Sequence, residues 1–557
     1  MALISRQGST IDSWNGQADT GLRRSRDGRL EFCGHSERQF YLLRLAAATT
    51  AAEWQAAAEE LDELDGAGEW KEEDESDEYD VELVQARLYR LEESRRKGDF
   101  ADLMLQIRSG LTRNLGGMGH VGLYRHSRTG TKRLIERYID AVVAAIEAVA
   151  ASPTLDPLPL FEEMKLARQS FGRSALLLSG GGTLGLNHVG VVKTLAEARL
   201  LPRIISGASA GSIVCAVLCT STDDEMDNVL DAFAHGDLDF FEAAGEEATM
   251  GARLTRFLTT GVIYDVKNLE RVMKQLLGNM TFQEAYNRTQ RILNICVSSA
   301  GVYEQPRLLN YITAPDVMIW SAVAASCSVP LVFSAAQLQA KDPRTGAIGQ
   351  WTDDATRWID GSVDNDLPMT RLAEMLNVNH FIVSQVNPHV VPFLTNQTAA
   401  DGWIQTLTSL ARAEALHRMH MLSEMGIFPT TMTKMCSVLG QRYAGDITIL
   451  PEISYAQFPT ILANPTPESI ALALANGERA TWPELSRVRN HLAIELSLDA
   501  AVHTLLHRLA FSPSQVHLRQ TVINTGPTRS NTFPKKHRKM KSQGFEDKGK
   551  WDGDDNV

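Results

Sequence analysis

The sequence predicts an α/β protein: a three-layer α/β/α domain on a mainly parallel sheet, flanked by helical N- and C-terminal regions. The first observation is a repeated unit. Ala175–Ser179 is a short apolar run that ends in Gly180-Gly181-Gly182 and precedes a helical stretch from Leu186 to Arg199. Arg203–Ser206 is a second such run, followed by Gly207-Ala208-Ser209-Ala210-Gly211 and helical sequence to Thr220. Strand, glycine turn, helix, repeated, is the sequence form of parallel α/β architecture. The second observation is three further strand candidates, Arg291–Ser298, Arg307–Ile312 and His380–Val386. The third is helical periodicity on both sides: Phe40–Leu64, Tyr79–Leu111 and Lys132–Ala150 before, and Trp403–Met425, Pro467–Leu474 and Trp482–Leu509 after. The chain divides accordingly into a disordered N-terminus (1–39), a helical region with an acidic loop (40–172), the α/β domain (173–392), a second helical region (393–515) and a disordered tail with a basic cluster (516–557).

Composition bounds the function. With 44% apolar and 22% charged residues in 557, the chain buries a sizeable core and is neither fibrous nor disordered throughout. Lys plus Arg is 55 against 68 Asp plus Glu, a net charge of −13. Thirteen of the acids lie between Glu59 and Asp80, where Lys71 is the lone base, and this stretch reads as a solvated loop. With no broad basic excess, nucleic acid is not expected as the main partner. Six scattered cysteines without a CxxC pair, and an N-terminus unlike a signal peptide, predict reduced thiols in an intracellular protein. Arg44 and Glu53, and Asp140 and Glu147, interrupt the longest apolar windows, so no spanning helix is expected, although the protein can still lie on a membrane surface.

The chemistry concentrates in the glycine turns. Gly207-Ala208-Ser209-Ala210-Gly211 fits a nucleophile elbow, in which a serine occupies a strained strand-to-helix turn and its neighbours must be small. The following helix points its positive end at the serine. Gly180-Gly181-Gly182-Thr183-Leu184-Gly185 formally matches a dinucleotide fingerprint. However, no Asp or Glu lies between Ala198 and Thr222 to take a ribose hydroxyl, which weakens a nucleotide-binding oxidoreductase. The alternative is an oxyanion hole built from glycine N–H groups. A second match, Gly117–Gly122, follows helical sequence and reads as a structural loop.

A serine nucleophile needs a base. The pairs His417/His420 and His503/His507 sit in helical periods with no HExxH, so metal binding is not expected, and nothing marks His188 as a base. Trp358-Ile359-Asp360-Gly361-Ser362-Val363 instead sets Asp360 at a possible strand end before a glycine turn. A carboxylate beside a serine hydroxyl can act as general base, whereas an Asx turn is the plain structural alternative.

These three motifs, in this order, resemble the patatin-like phospholipase domain, an α/β fold that uses a Ser–Asp dyad. The resemblance implies Ser209 as nucleophile and Asp360 as base. It implies Gly180, Gly181, Gly182 and Gly185 as the oxyanion loop, Gly207 and Gly211 as the elbow glycines, and Gly361 and Ser362 as the rest of the third motif. Arg113-Asn114-Leu115-Gly116-Gly117-Met118-Gly119, Gly130-Thr131-Lys132 and Arg168–Arg173 further resemble the fungal and plant triacylglycerol lipases of lipid droplets. The similarity runs from about Glu53 to Pro392. Leu184 stands where many patatins carry a basic residue, Ser362 where the motif has Gly or Ala, and no HxxxxD motif is present for lysophospholipid acylation.

The implied activity is hydrolysis of carboxylic esters of triacylglycerol, phospholipid or both through an acyl-enzyme. It needs no cofactor and takes place at a membrane, lipid-droplet or endoplasmic reticulum surface. A catalytically weak scaffold of the same fold is the alternative. Trp403–Met425 and Lys535–Lys541 are candidate lipid contacts, beside plain readings as a packed helix and a solubilising tail.

Overall fold

The structure is a computed structural model. It describes residues 22–24, 30–32, 34–235, 238–242, 255–259, 261–299, 306–329, 332–351, 358–361, 367–388, 443–454 and 460–510, with single positions at 390, 414 and 458. The helix expected over 403–425, the basic cluster 535–541, the tail from 516 and Ser362 lie outside the described residues. The described residues up to Leu505 form one compact unit.

The N-terminal region departs from expectation at its start. β1 (Leu22–Arg24) and β2 (Leu30–Phe32) pair antiparallel, and α1 (Gly34–Ala47) begins inside the segment expected to be disordered. Three-residue strands are too short to show a period in sequence. Thr50 caps α2 (Ala51–Leu64), and a short α3 (Ala67–Glu72) follows. The helical stretch 79–111 divides into α4 (Val81–Lys97) and α5 (Phe100–Gly110). Left-handed Gly98 ends the first and Asp99 caps the second. α6 (Arg133–Ala151) and α7 (Pro157–Phe171) complete the region.

The acidic stretch keeps most of its carboxylates exposed, as expected, but it runs through α2 and α3 and is only partly a loop. It folds around Lys132, whose fully buried ammonium donates to the carbonyls of Trp70 and Glu73 at 2.8 Å and of Glu75 at 3.3 Å. The same ammonium lies 4.3 Å above the Trp70 ring. Asp62 is buried and accepts from the N–H groups of Arg128 and Thr129 and from Lys71. The compensating charge and donors come largely from residues 128–132, so a local charge count misses them.

The sheet follows. β3 (Arg173–Leu178), α8 (Asn187–Glu197), β4 (Ile204–Gly207) and α9 (Ala210–Thr220) are the two repeated units. After them come α10 (Met226–His235), α11 (Val266–Leu277), α12 (Phe282–Thr289), β5 (Ile292–Ser299), β6 (Arg307–Leu309) and α13 (Ile319–Ser326). β7 (Gln339–Lys341) and β8 (Ile348–Gln350) form a separate hairpin, followed by β9 (Trp358–Asp360), α14 (Met369–Leu376) and β10 (Val378–Ser384). Last come β11 (Ile447–Ile449), α15 (Pro467–Thr481) and α16 (Leu485–Ala510). The order is β11-β10-β3-β4-β5-β6, parallel from β11 to β5, with β6 and β9 antiparallel to β5. Alternate residues of β3 serve opposite faces. Leu176 and Leu178 pack with α8, α9 and α13, while Ala175 and Leu177 pack with Leu372 and Leu376 of α14. Burial on both faces explains why β3 reads as an unbroken apolar run.

The C-terminal segment is not a separate helical region. β11 adds an edge strand, three residues long and therefore silent in the sequence. α15 crosses α8 so closely that a Cβ on Gly190 would lie 2.1 Å from the Leu474 carbonyl oxygen, and one on Gly477 2.0 Å from that of Asn187. α16 joins two cores. Val488 and Leu492 belong to the sheet-side core, whereas Ile494, Leu498 and Leu505 belong to the N-terminal core with Leu88, Leu103, Ile135 and Met164. At this junction Glu495 is buried and meets Arg113 and Arg168 at 3.0 Å each. It also accepts from the Ser174 N–H (3.0 Å) and hydroxyl (2.6 Å).

Candidate functional site

Pairing along β5 builds the site. Ile295 faces Gly207 of β4 on one side and Leu309 of β6 on the other. Val297 faces Arg307 of β6 and Asp360 of β9. A strand residue has one neighbour on each side, so β9 lies on the β4 side of β5, in line with β4 and running toward its end. Gly207 and Asp360 therefore face residues two apart on one strand, about 7 Å at 3.3 Å per residue. Two segments distant in sequence meet head-on where β4 turns into α9.

Ser209 occupies that turn. Its φ of 49° and ψ of −126° are a conformation that side chains rarely adopt, and it caps α9. The turn tolerates nothing larger at its flanks. A Cβ on Gly207 would lie 2.5 Å from Gly211, and one on Gly211 2.2 Å from the Leu178 carbonyl oxygen. The Ser209 carbonyl starts the helix, accepting from the Ser212 N–H at 2.9 Å and hydroxyl at 2.6 Å.

The glycine loop closes the other side. Gly180 is buried at the end of β3, and Gly181 and Gly182 are half-buried. Gly185 packs so tightly on Ala210 that a Cβ would meet that methyl at 2.5 Å. Gly182, Thr183 and Gly185 share one cleft with Ser209. The cleft's far walls are apolar, with Ile213, Phe240, Leu269 and Phe333 among them.

Asp360 is fully buried, and its N–H donates to the Ser328 carbonyl at 3.0 Å. Gly361 packs on the Cys296 carbonyl oxygen, 2.4 Å from where its Cβ would be. Cys327 lines the same cleft as Ser209. Burial first, and the nearby Asp360 carboxylate second, push its thiol far above the ordinary range, so it stays protonated.

Sequence reading missed two contributors. One is Ser326-Cys327-Ser328 at the end of α13, which touches both Ser209 and Asp360 and bears no local motif. The other is the segment around 458–465. Its Ile461 carbonyl accepts the Thr183 N–H at 3.0 Å, and Leu462 and Pro465 line the cleft. Nothing before Pro392 signals this contribution.

His188 supports the loop from behind. It is fully buried, its Nε2–H donates to the Ser179 carbonyl at 2.9 Å, and its Nδ1 accepts from the Ser384 hydroxyl at 2.8 Å. Burial lowers its pKa to about 4. His491 is held at about 3 and His380 well below its ordinary value, both chiefly by burial. Between these values and about 6.5 the unfolded chain binds protons that the fold refuses. Stability is thus complete above pH 6.5 and declines below it, by about 3 kcal/mol for His188 alone once pH reaches 4. The urea midpoint is expected to fall from pH 7 to pH 5, and less steeply in His188→Gln. A level wild-type profile would refute this.

A strained serine turn on a mostly parallel sheet, opening on an apolar cleft beside a glycine loop, has the geometry of a nucleophile elbow. Comparison with known proteins places it further. The patatin-like phospholipase family matches residues 176–373, and a domain of unknown function matches residues 32–170. The chain is 40% identical over 472 residues to a triacylglycerol lipase of Schizosaccharomyces pombe, covering 84% of this chain and 98% of that one. It is 41% identical over 505 residues to triacylglycerol lipase 4 of Saccharomyces cerevisiae, with 87% and 55% covered. With a triacylglycerol lipase of Arabidopsis thaliana the figures are 39% over 512 residues, 88% and 62%. The chain belongs to the patatin-like phospholipase family. It spans little more than half the length of the Saccharomyces and Arabidopsis relatives and nearly all of the Schizosaccharomyces one.

Proposed function

We propose that the protein hydrolyses carboxylic esters of acylglycerols, triacylglycerol foremost, with Ser209 as nucleophile and Asp360 as base. The observation that carries this reading is the head-on meeting of β4 and β9, which brings the elbow serine, on the wall of the apolar cleft, and a buried acid to facing strand ends. The names of the relatives favour triacylglycerol over phospholipid.

In the first half-reaction Ser209 Oγ attacks the ester carbonyl carbon as its proton passes to Asp360. The carbonyl oxygen becomes an oxyanion held by N–H groups of the loop formed by Gly180, Gly181, Gly182 and Gly185, with the α9 dipole in support. Collapse breaks the acyl–alkoxy bond, and Asp360 returns the proton to the leaving glyceride oxygen. In the second half-reaction Asp360 takes a proton from water, which attacks the acyl-serine. The fatty acid leaves and Ser209 regains its proton. His188 stands outside this cycle because both ring nitrogens are engaged behind the loop. The substrate comes from a lipid surface, a droplet or a membrane face. No helix among the described residues is long and apolar enough to cross a membrane.

The test is labelling with an alkyl fluorophosphonate beside assay on trioleoylglycerol emulsion and phosphatidylcholine vesicles. Labelling that vanishes in Ser209→Ala, with fatty acid released from the emulsion, is expected. Folded protein that takes no label in the presence of emulsion would make the chain a scaffold.

A further inference from the structure

The meeting of β4 and β9 leaves a joint, and one hydroxyl bridges it. Ser326, the last residue of α13, is fully buried. Its Oγ accepts the Ser209 backbone N–H at 3.0 Å and donates its own proton to the Cys296 carbonyl oxygen at 2.7 Å. Cys296 lies between Ile295, which faces Gly207, and Val297, which faces Asp360. The same carbonyl is the surface on which Gly361 packs. Two residues on, the Ser328 carbonyl takes the Asp360 N–H.

We propose that Ser326 is a positioning residue for the ester hydrolysis, its hydroxyl fixing the Ser209 turn against the strand that registers Asp360. The proposal rests on the reading of Ser209 and Asp360 as nucleophile and base. The turn needs such a hold. A side chain at φ 49°, ψ −126° carries strain of about 1–3 kcal/mol, and it persists only where its surroundings over-determine it. The other described bonds of the turn lie within the turn itself, run to the Leu178 carbonyl through Ala208, or join the Ser212 hydroxyl to the Cys327 thiol at 3.9 Å. Among them, the bond to Ser326 ties the Ser209 backbone itself to the strand that registers the acid. It also commits the Ser209 N–H, so oxyanion donors come from elsewhere, in keeping with the glycine loop. The hydrogen bonds described for the Ser326 hydroxyl run to backbone atoms, and it takes no proton from the substrate or from Ser209 Oγ.

Removing the hydroxyl frees the turn to relax away from Asp360, and a displacement of about 1 Å between reacting groups costs about 100-fold in rate. In Ser326→Ala, kcat on trioleoylglycerol emulsion and the second-order rate of fluorophosphonate labelling are therefore expected to fall together by about 10–100-fold with KM little changed. Ser321→Ala is the matched control. Ser321 lies on the same helix, is equally buried, and bonds the Met318 carbonyl instead. It is expected to lose thermal stability but to keep kcat within about twofold of wild type. The near-isosteric Ser326→Cys is assayed in parallel, so that a folded variant is in hand if the alanine variant does not fold. Its labelling rate is expected to fall by about fivefold or more.

Labelling rates within twofold of wild type in whichever Ser326 variant folds, or losses matched by Ser321→Ala, would overturn the positioning role. If wild-type protein takes no label at Ser209, the reading beneath it has failed instead, so the two failures are told apart.

Discussion

Asp360→Asn is expected to reduce ester hydrolysis by about 10³–10⁴-fold while the protein stays folded. The substitution keeps the size and shape of the side chain. The backbone contacts that hold β9, pairing with Val297 and donation to the Ser328 carbonyl, do not involve the carboxylate. What disappears is the proton acceptor. An amide cannot take the Ser209 proton, nor return one to the leaving alkoxide, so both half-reactions stall. The Cys327 thiol, held protonated partly by that carboxylate, becomes easier to ionise, and alkylation by an apolar maleimide gives an independent sign that the charge has gone. Fatty acid release from emulsion is the measurement. Activity above about a tenth of wild type would show that another group serves as base.

The largest loss of stability is expected for Glu495→Ala, about 3–5 kcal/mol in chemical denaturation. Glu495 is the single acceptor shared by Arg113, Arg168 and Ser174 in a buried junction. Alanine leaves two guanidinium groups out of water with only part of their partners, chiefly Asp499 and the Gly172 carbonyl for Arg168 and the His491 carbonyl for Arg113. The effect reaches both the N-terminal and the sheet-side cores, because these groups come from the turn after α5, from α7, from the first residues of β3 and from α16. The exposed pair Arg371–Glu374, also at 3.0 Å, is the contrast: its removal is expected to move stability by less than about 0.5 kcal/mol. A Glu495→Ala loss below about 1 kcal/mol would refute the account.

The parts of the fold that were legible in sequence share one property: local pattern decides them. β3, β4 and β5 are buried on both faces and read as apolar runs. The Ser209 turn admits only small neighbours, and that demand is written within five residues. The Asp360 strand end was visible as apolar residues before Asp-Gly, although its antiparallel insertion was not. Assignments failed where the cause lies at a distance. The acidic stretch is solvated along most of its length, but its fold around Lys132 and the burial of Asp62 were not legible, because Lys132 and the N–H groups at 128–129 come from elsewhere in the chain. The segment from 443 onward looked purely helical because β11 is three residues long and is defined by its neighbour β10. Ser326 sits in an ordinary helical run, and only the folded chain shows what its hydroxyl spans. Arg113, Lys132 and Arg168, which resemblance marked as motifs, prove to be internal charges that hold the N-terminal helices together and to the sheet.

The place of β10 bears on how the protein can be shortened. Residues 176–373 retain Ser209, Asp360 and the glycine loop, yet that piece ends before Val378, and β10 lies between β3 and β11. Cut there, β3 becomes a raw edge of apolar residues, Gly190 faces solvent where α15 had crossed, and Ser174 and Glu495 are gone. Such a fragment is expected to collect in the insoluble fraction, its unpaired strand open to the strands of other copies. Useful trimming starts from the outside: a piece from Gly34 to Ala510 keeps β3 to β11 and the helices described on both sides of the sheet.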